Sequence, residues 1–275
     1  MKSVYSKARS PIALTTPLVL PVMLAAILAL SSCSRNTTRA ADDPGPAPAR
    51  ELGTVEGEAG ELFTEARNSL DKGQFDKAVV QYENLEATYP FGDHAAQARL
   101  DVAYAYYQQG ELDNTVATLD RYLKLYPQAE EADYAFYLKG LANYSRGKTL
   151  FERLVPRKLH QLDQAWLRAA SADFETLERK FPQSAYIEDA SARKLRLIDQ
   201  MAKHELSAAE YYYSRSAMVA AINRINFMLE QYPNSSLGAE ALTLLTRAHR
   251  ALGNEKSAEE ANALLLKRHP DSGKI

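Results

Sequence analysis

The residues that could support catalysis or bind a metal are scattered along this chain of 275 residues. His204-Glu205 begins like the zinc motif His-Glu-x-x-His, but Leu206-Ser207-Ala208 follows, so the second histidine is missing. Adjacent acids such as Glu130-Glu131 point in different directions on a helix and cannot act on one substrate. The sequence shows no ligand spacing among its five histidines, no glycine-rich phosphate loop and no Gly-x-Ser-x-Gly elbow. We therefore expect no enzyme, no cofactor and no metal site.

Cys33 is the one cysteine of the chain, and its position indicates lipidation. An apolar run over residues 11–30 precedes it, with basic residues before the run and no acid in residues 1–32, which is typical of a signal peptide. The run ends in Leu30-Ser31-Ser32-Cys33, which resembles the bacterial lipobox, where the cysteine becomes the lipidated mature N-terminus. We predict a lipoprotein signal peptide over residues 1–32 and acyl chains on Cys33. An uncleaved transmembrane helix is the alternative, and the prolines in the run disfavour it.

The residues after Cys33 bear on where the protein is tethered. Ser34 follows the cysteine, whereas an aspartate there would favour retention at the inner membrane, so we expect a lipid anchor at the periplasmic face of the outer membrane. Residues 33–59 then shift in composition to proline, glycine and alanine, most densely over residues 42–48. Because such a stretch cannot form a core, we predict a flexible, partly extended spacer.

The rest of the chain repeats one pattern of prolines and small residues. Five prolines each end a helix-like stretch, and they are Pro90, Pro127, Pro182, Pro233 and Pro270. A small residue recurs at one fixed position before each of them, namely Ala78, Thr115, Ala170, Ala221 and Ala258. Apolar side chains around these positions form one stripe of a helix, and proline ends the helix because it lacks an N–H group. Small residues allow neighbouring helices to pack closely.

This pattern predicts an all-α protein, an α-solenoid of about five tetratricopeptide-like helical hairpins over residues 60–273. The unit is about 37 residues long, and two longer proline spacings leave inserts near residues 148–164 and 203–216. A longer turn or longer helices would explain either insert. A docking edge for a specific partner would also explain them, since insertions in a solenoid map to one face. We expect the second insert, with Glu210-Tyr211-Tyr212-Tyr213, to be helical and to lengthen its neighbours.

Charge and aromatic content indicate proteins, not nucleic acid, as partners. The chain has 33 basic and 35 acidic residues, and residues 1–32 contain only basic ones, so the predicted mature part is more acidic still. Tyrosine is abundant, with 16 residues, and serves both core packing and interfaces. In tetratricopeptide stacks the first helix of each pair lines the groove, and Tyr104, Tyr107 and Tyr137 fall on such helices. With Phe91 they form the predicted groove for an aromatic-rich peptide.

Several stretches together resemble one known family. They are Tyr89-Pro90-Phe91-Gly92, Ala103-Tyr104-Ala105-Tyr106-Tyr107, Asp120-Arg121-Tyr122, Asp133-Tyr134, Gly140-Leu141 and Phe181-Pro182-Gln183-Ser184. The most specific is the run from Ala202 through Glu210-Tyr211-Tyr212 to Asn223-Arg224, which a generic tetratricopeptide protein would not share. These stretches resemble the BamD family, lipoproteins of the outer-membrane β-barrel assembly (BAM) machine. One departure lies in the first insert, where residues 155–160 replace the acidic, Arg-Asp-rich stretch usual in that family.

The resemblance implies a scaffold with two separate binding regions. The N-terminal repeats would receive unfolded outer-membrane β-barrel proteins by their C-terminal targeting strand. The C-terminal repeats would dock on the periplasmic domains of BamA, with Arg224 as a contact and Asn223, Glu210, Tyr211 and Tyr212 beside it. Other BAM lipoproteins would be further partners. Two alternatives stay open: another envelope tetratricopeptide lipoprotein that coordinates pilus assembly or cell-wall synthesis, and an envelope enzyme whose site the sequence does not reveal.

Overall fold

The computed structural model describes residues 43–48, 57–91, 93–146 and 164–271. Within these ranges the secondary structure is helical, without strands. In chain order the ten helices are α1 Glu58–Asp71, α2 Phe75–Thr88, α3 Asp93–Gln109, α4 Leu112–Leu125, α5 Ala132–Arg146, α6 Ala165–Lys180, α7 Ile187–Ser214, α8 Met218–Gln231, α9 Gly238–Ala251 and α10 Glu255–Arg268. The predicted signal peptide and Cys33 lie outside the described residues.

The helices form five successive pairs, which confirms the predicted all-α solenoid. Each helix packs against the next one in the chain, from α1 with α2 to α9 with α10. The first helices of neighbouring pairs also meet, as α1 does with α3, α3 with α5 and α7 with α9. Contacts therefore run within a pair and between adjacent pairs, as in other solenoid proteins.

Every second helix of a pair ends where the prolines predict. The residue before each proline donates its backbone N–H to the carbonyl four residues earlier, and these residues are Tyr89, Tyr126, Phe181, Tyr232 and His269. The proline that follows has no N–H to continue this series, so the chain turns. Within four of the pairs the connecting turn places one residue in the left-handed region, and these residues are Gly73, Gly110, Ser216 and Gly253. Ser216 adopts φ 58° there with a side chain, which a glycine would do at lower cost.

The small residues of the repeat lie where helices cross. The predicted set Ala78, Thr115, Ala170, Ala221 and Ala258 is fully buried. Gly140 makes the closest approach, because a Cβ added to it would lie 2.4 Å from Cε1 of Phe174 on the neighbouring α6. The core they form is divided into three clusters of buried side chains along the chain, from α1 to α5, from α5 to α7 and from α7 to α10.

Two serines, each two residues after a proline, connect their turn to the preceding helix pair. Ser184 accepts a hydrogen bond from the N–H of Tyr186 at 3.2 Å and donates to Oδ2 of Asp133 at 2.6 Å. Ser235 makes the equivalent pair of bonds with Leu237 and Asp199. Both N–H groups belong to the residue just before the helix, so these serines order the turn and do not cap the helix itself.

The structure describes the second insert and part of the predicted spacer, but little of the first insert. Most of the first insert, residues 147–163, lies outside the described residues. Residues 203–214 continue α7, which reaches 28 residues, whereas the other first helices have 14 to 17. In the predicted spacer, residues 44–48 lie against the helices, and Ala47 is fully buried in the first core cluster. The composition of this segment predicts a flexible, partly extended spacer, whereas these residues pack against the repeats.

Candidate functional site

Among the described residues, no group of three or more His, Cys, Asp and Glu side chains could hold a metal ion. None of the ten described helices has the length and apolar character of a bilayer-spanning segment. Glu205, from the incomplete zinc motif, is buried on α7 and accepts a hydrogen bond from Arg224. We therefore describe two surfaces that can contact other proteins.

The first of these, the N-terminal surface, is formed by Arg67 of α1 and Tyr134 of α5. Beneath it lies a buried carboxylate, Asp101 of α3. Its side chain is fully buried and accepts hydrogen bonds from the Tyr82 hydroxyl at 2.7 Å, Gln97 Nε2 at 3.2 Å and Arg67 Nη1 at 3.3 Å. Burial raises the pKa of Asp101 to about 6, although Arg67 acts in the opposite direction. Burial and the nearby carboxylate raise the pKa of Tyr82 as well, which keeps its hydroxyl a donor. The cluster holds the guanidinium of Arg67 in one place.

Arg67 and Tyr134 both reach the segment of residues 44–48. The Tyr134 hydroxyl on α5 donates to the backbone carbonyl of Gly45 at 2.8 Å. Arg67 Nη1 on α1 donates to the backbone carbonyl of Ala47 at 3.4 Å, a longer contact. Side chains of two first helices, α1 and α5, thus contact the main chain of a short segment, and Asp101 of α3 holds one of them, Arg67.

The four aromatic residues of the predicted groove do not come together on this surface. Tyr104 is 7% exposed and packs edge-on against Phe75, with ring centres 6.5 Å apart. Tyr137 is 6% exposed, stacks on Tyr186 and donates its hydroxyl to Asp189 at 2.5 Å. Tyr107 is half-buried against the core, and Phe91 is 90% exposed. Tyr104 and Tyr137 are therefore core residues with little surface to offer, and the groove as predicted is limited to Tyr107 and Phe91.

The C-terminal surface includes an ion pair between α7 and α8. Arg224 Nη1 donates to Oε2 of Glu205 at 2.8 Å, and the Arg224 side chain keeps 45% of its area exposed while that of Glu205 keeps 10%. Asn223 is exposed next to Arg224. The pair orients the guanidinium at the surface and leaves most of its other donors available to a partner.

Tyr211 and Tyr213, from the run of three tyrosines on α7, lie on different sides of that helix. Tyr211 is 57% exposed, contacts Tyr212 edge-on and lies under the guanidinium of Arg215, 5.4 Å from its ring centre. Glu210 instead lines a cleft of about 310 Å³ between α7 and α9, together with Tyr213 and Arg247. The structure thus places Glu210 apart from the Arg224 ion pair, although both belong to the same predicted binding set.

Two exposed apolar residues that the sequence analysis missed lie on α8. Val219 is 61% exposed and Phe227 is 44% exposed, and their spacing places them with Asn223 on one face of the helix. The buried stripe of the same helix contains Ala221, Ile222, Ile225 and Met228. Apolar residues outside the buried stripe could have indicated this exposed apolar face from the sequence, because a helix with one packed face needs only one apolar stripe.

Comparisons with known proteins agree on one family. A family model described as YfiO, outer membrane lipoprotein, matches residues 55–264. The outer membrane protein assembly factor BamD of Neisseria meningitidis serogroup A is 35% identical over 211 residues, covering 77% of this chain and 79% of the relative. The BamD proteins of Xylella fastidiosa and Vibrio cholerae are 33% and 32% identical, covering 92% and 74% of this chain and 82% and 85% of the relatives. The chain therefore belongs to the YfiO family of outer membrane lipoproteins, the family of the BamD proteins.

Proposed function

We propose that this protein is an assembly factor for outer-membrane β-barrel proteins, a scaffold subunit of the BAM complex without catalytic activity. The observation that carries the proposal is the identity of 35% over 77% of the chain to a relative named outer membrane protein assembly factor BamD. A solenoid of helix pairs supports it, because repeat proteins present extended surfaces to protein partners. In this proposal Cys33 carries the lipid anchor, residues 1–32 are removed, and the repeats lie at the periplasmic face of the outer membrane.

The N-terminal repeats bind unfolded clients through their C-terminal strand in this proposal. Phe91, at the turn between α2 and α3, is 90% exposed and can stack on an aromatic client side chain. To test this, binding of a synthetic peptide with the last ten residues of an outer-membrane β-barrel protein would be measured for Phe91→Ser. Val80→Ser serves as the matched control, because Val80 is also exposed, on α2. Weaker binding only for Phe91→Ser is expected, and equal binding by both variants would contradict the assignment of Phe91.

The C-terminal repeats dock on BamA in this proposal, through Arg224 and the exposed face of α8. Ion pairs at a helix surface contribute about 0–1 kcal/mol to stability, and the Arg224–Glu205 pair is half-exposed on the arginine side only, whereas an interface arginine can contribute 2 kcal/mol or more to binding. We expect Arg224→Gln to weaken binding to the periplasmic domains of BamA by about thirtyfold or more, with unchanged helical circular dichroism. An acidic replacement is avoided because it would place a second carboxylate beside the buried Glu205.

Glu205→Gln is the matched control for Arg224, because it removes the same ion pair and leaves the arginine at the surface. Equal losses of BamA binding in both variants would mean that the pair matters for the fold of α7 and α8 and that Arg224 makes no contact. Phe227→Glu tests the apolar face in the same assay, with Leu266→Glu on α10 as its control, since the two residues are 44% and 47% exposed. Recovery of a secretin or a cell-wall synthase in place of BamA would favour the alternative envelope scaffold.

A further inference from the structure

Residues 44–48 pack against the N-terminal part of the solenoid in a bent conformation. Gly45 has φ 70°, in the left-handed region, and the prolines on either side of it restrict the rest of the bend. Ala47 is fully buried in the first core cluster, while Pro48 next to it is exposed. This geometry depends on the sequence of the segment, because residues other than glycine adopt the conformation of Gly45 only at a cost.

The hydrogen bonds of the segment connect two helix pairs that are not neighbours. The Tyr134 hydroxyl of α5, in the third pair, donates to the carbonyl of Gly45 at 2.8 Å. Arg67 of α1, in the first pair, donates to the carbonyl of Ala47 at 3.4 Å, and Asp101 of the second pair holds its guanidinium. The segment is thus joined to both ends of a row of three successive pairs, although 89 residues separate Gly45 from Tyr134.

A connection of this range is unusual for a solenoid. Each repeat packs on its neighbours only, so the curvature of the array follows from the rotation at each interface. In the N-terminal half, α1 packs on α3 and α3 packs on α5. A link from the first pair to the third closes a ring of contacts with these two interfaces. Bending at either interface would therefore stretch the Tyr134 hydrogen bond or move Ala47 out of the core.

We propose that residues 44–48 are a strap that braces the first helix pair against the third and limits bending between them. While the strap is docked, α1, α3 and α5 hold one curvature. When it is released, the two interfaces between these helices bend independently, and the distance between the first and third pairs varies over a wider range. The strap is a property of the fold and does not depend on which partner the protein binds.

The distance between the first and third pairs tests the strap. Nitroxide labels on Glu61→Cys of α1 and Glu175→Cys of α6, both at exposed positions, report this distance by pulsed electron paramagnetic resonance. The full chain is used, purified from membranes in detergent. In this background Ala47→Arg releases the strap, because the buried methyl group is replaced by a charged side chain without a partner in the core. Pro48→Arg adds the same charge at the adjacent exposed residue and serves as the control.

Pro48→Arg is expected to keep the distance distribution of the parent chain, whereas Ala47→Arg should broaden it by about twofold or more in width. Gly45→Ala is a milder release. Its methyl group meets no atom within 4 Å, but φ 70° disfavours any L-residue, so the released population should rise by about fivefold or more. Equal widths in Ala47→Arg and Pro48→Arg would overturn the strap, provided that circular dichroism shows intact helices in both.

A second label pair separates the strap from a general loosening of the solenoid. Labels on Glu175→Cys and on Glu259→Cys of α10, also at an exposed position, report a distance beyond the segment, and its width should be the same in all variants. Broadening of both distances by Ala47→Arg would overturn a strap confined to the first three pairs.

Cys33 carries acyl chains in the proposed function and then takes up no nitroxide. Label uptake by the chain without introduced cysteines would show a free Cys33 thiol, which contradicts the lipid anchor and leaves the strap standing. The two distances are in that case measured in a Cys33→Ser background, with the same expected widths and the same outcomes that would overturn the strap.

Discussion

The close packing of α5 on α6 makes a sharp prediction for Gly140→Ala. The new Cβ would lie 2.4 Å from Cε1 of Phe174 and 2.8 Å from its Cδ1 and Cζ, where ordinary contacts are 3.4–4 Å. The ring would have to move by about 1 Å, yet it is fully buried and packed against Tyr137. Overpacking of this kind costs about 1–3 kcal/mol.

Alanine also has an advantage over glycine, because it favours a helix interior by about 1 kcal/mol. The expected net effect is a loss of up to about 2 kcal/mol in the free energy of unfolding, which lowers the thermal midpoint by up to about 8 °C for a domain of this size. Thermal unfolding followed by circular dichroism measures the change. Gly238→Ala is the matched control, because its Cβ meets only the tip of the His269 side chain, at 3.0 Å.

A double-mutant cycle separates the clash from other effects of the substitution. In a Phe174→Leu background the ring is absent, so Gly140→Ala should lose its penalty and retain only the helix-propensity gain. The packing of α5 on α6 would be described wrongly if Gly140→Ala raised the midpoint in the presence of Phe174. The same effect of Gly140→Ala in the wild type and in the Phe174→Leu variant would also contradict this description of the packing.

Three further predictions follow from the turns, the buried carboxylate and the anchor. Ser216→Gly should stabilise the protein by about 0.5–1 kcal/mol in urea unfolding, because Ser216 has φ 58°, and an unchanged or lower midpoint would argue against that turn. The pKa of Asp101 is raised from 3.8 to about 6 in the folded state, so its contribution to stability falls as the pH rises through this interval. Relative to Asp101→Asn, the wild type should gain about 1 kcal/mol between about pH 7.5 and pH 5, and parallel pH profiles would contradict this. Cys33→Ala should release the protein from membranes or block its maturation, and tight membrane retention in fractionation would refute lipidation there.

The positions of the helices could be predicted from the sequence because they depend on local chemistry. A proline after a helical stretch cannot continue its hydrogen-bond series, and alanine or threonine fits a helix crossing in any repeat, so one pattern applies five times. The extension of α7 through residues 203–214 follows equally from the absence of a helix-breaking residue there.

The roles of individual side chains could not be predicted in the same way, because they depend on residues far apart in the chain. Tyr104 and Tyr137 fall on the first helices as expected, but contacts with Phe75 and Asp189 bury them. Nothing local distinguishes them from Tyr211, which is exposed. Asp101 offered a clue, as one acid within the apolar stretch Leu100–Tyr104, although its partner Arg67 lies on another helix pair.

Three of the 16 tyrosines lie at the junctions between core clusters. Tyr107 and Tyr186 pack against both the first cluster and the middle one, and Tyr232 packs against both the middle cluster and the last. All three are half-buried, which suits a side chain with an apolar ring and a polar end. A leucine at such a junction would fill the space but leave apolar surface in water, whereas a more polar residue would not join the clusters.

These junctions also lie between the two candidate binding surfaces. The side chains that donate hydrogen bonds to the segment 44–48 belong to α1 and α5, and the Arg224–Glu205 pair belongs to α7 and α8, beyond the middle cluster. In a solenoid each repeat contacts only its neighbours, so local substitutions at one surface change the other only through the packed side chains between them. Tyr107, Tyr186 and Tyr232 are among these packed side chains, so a change at one surface that reaches the other passes through the clusters that they join.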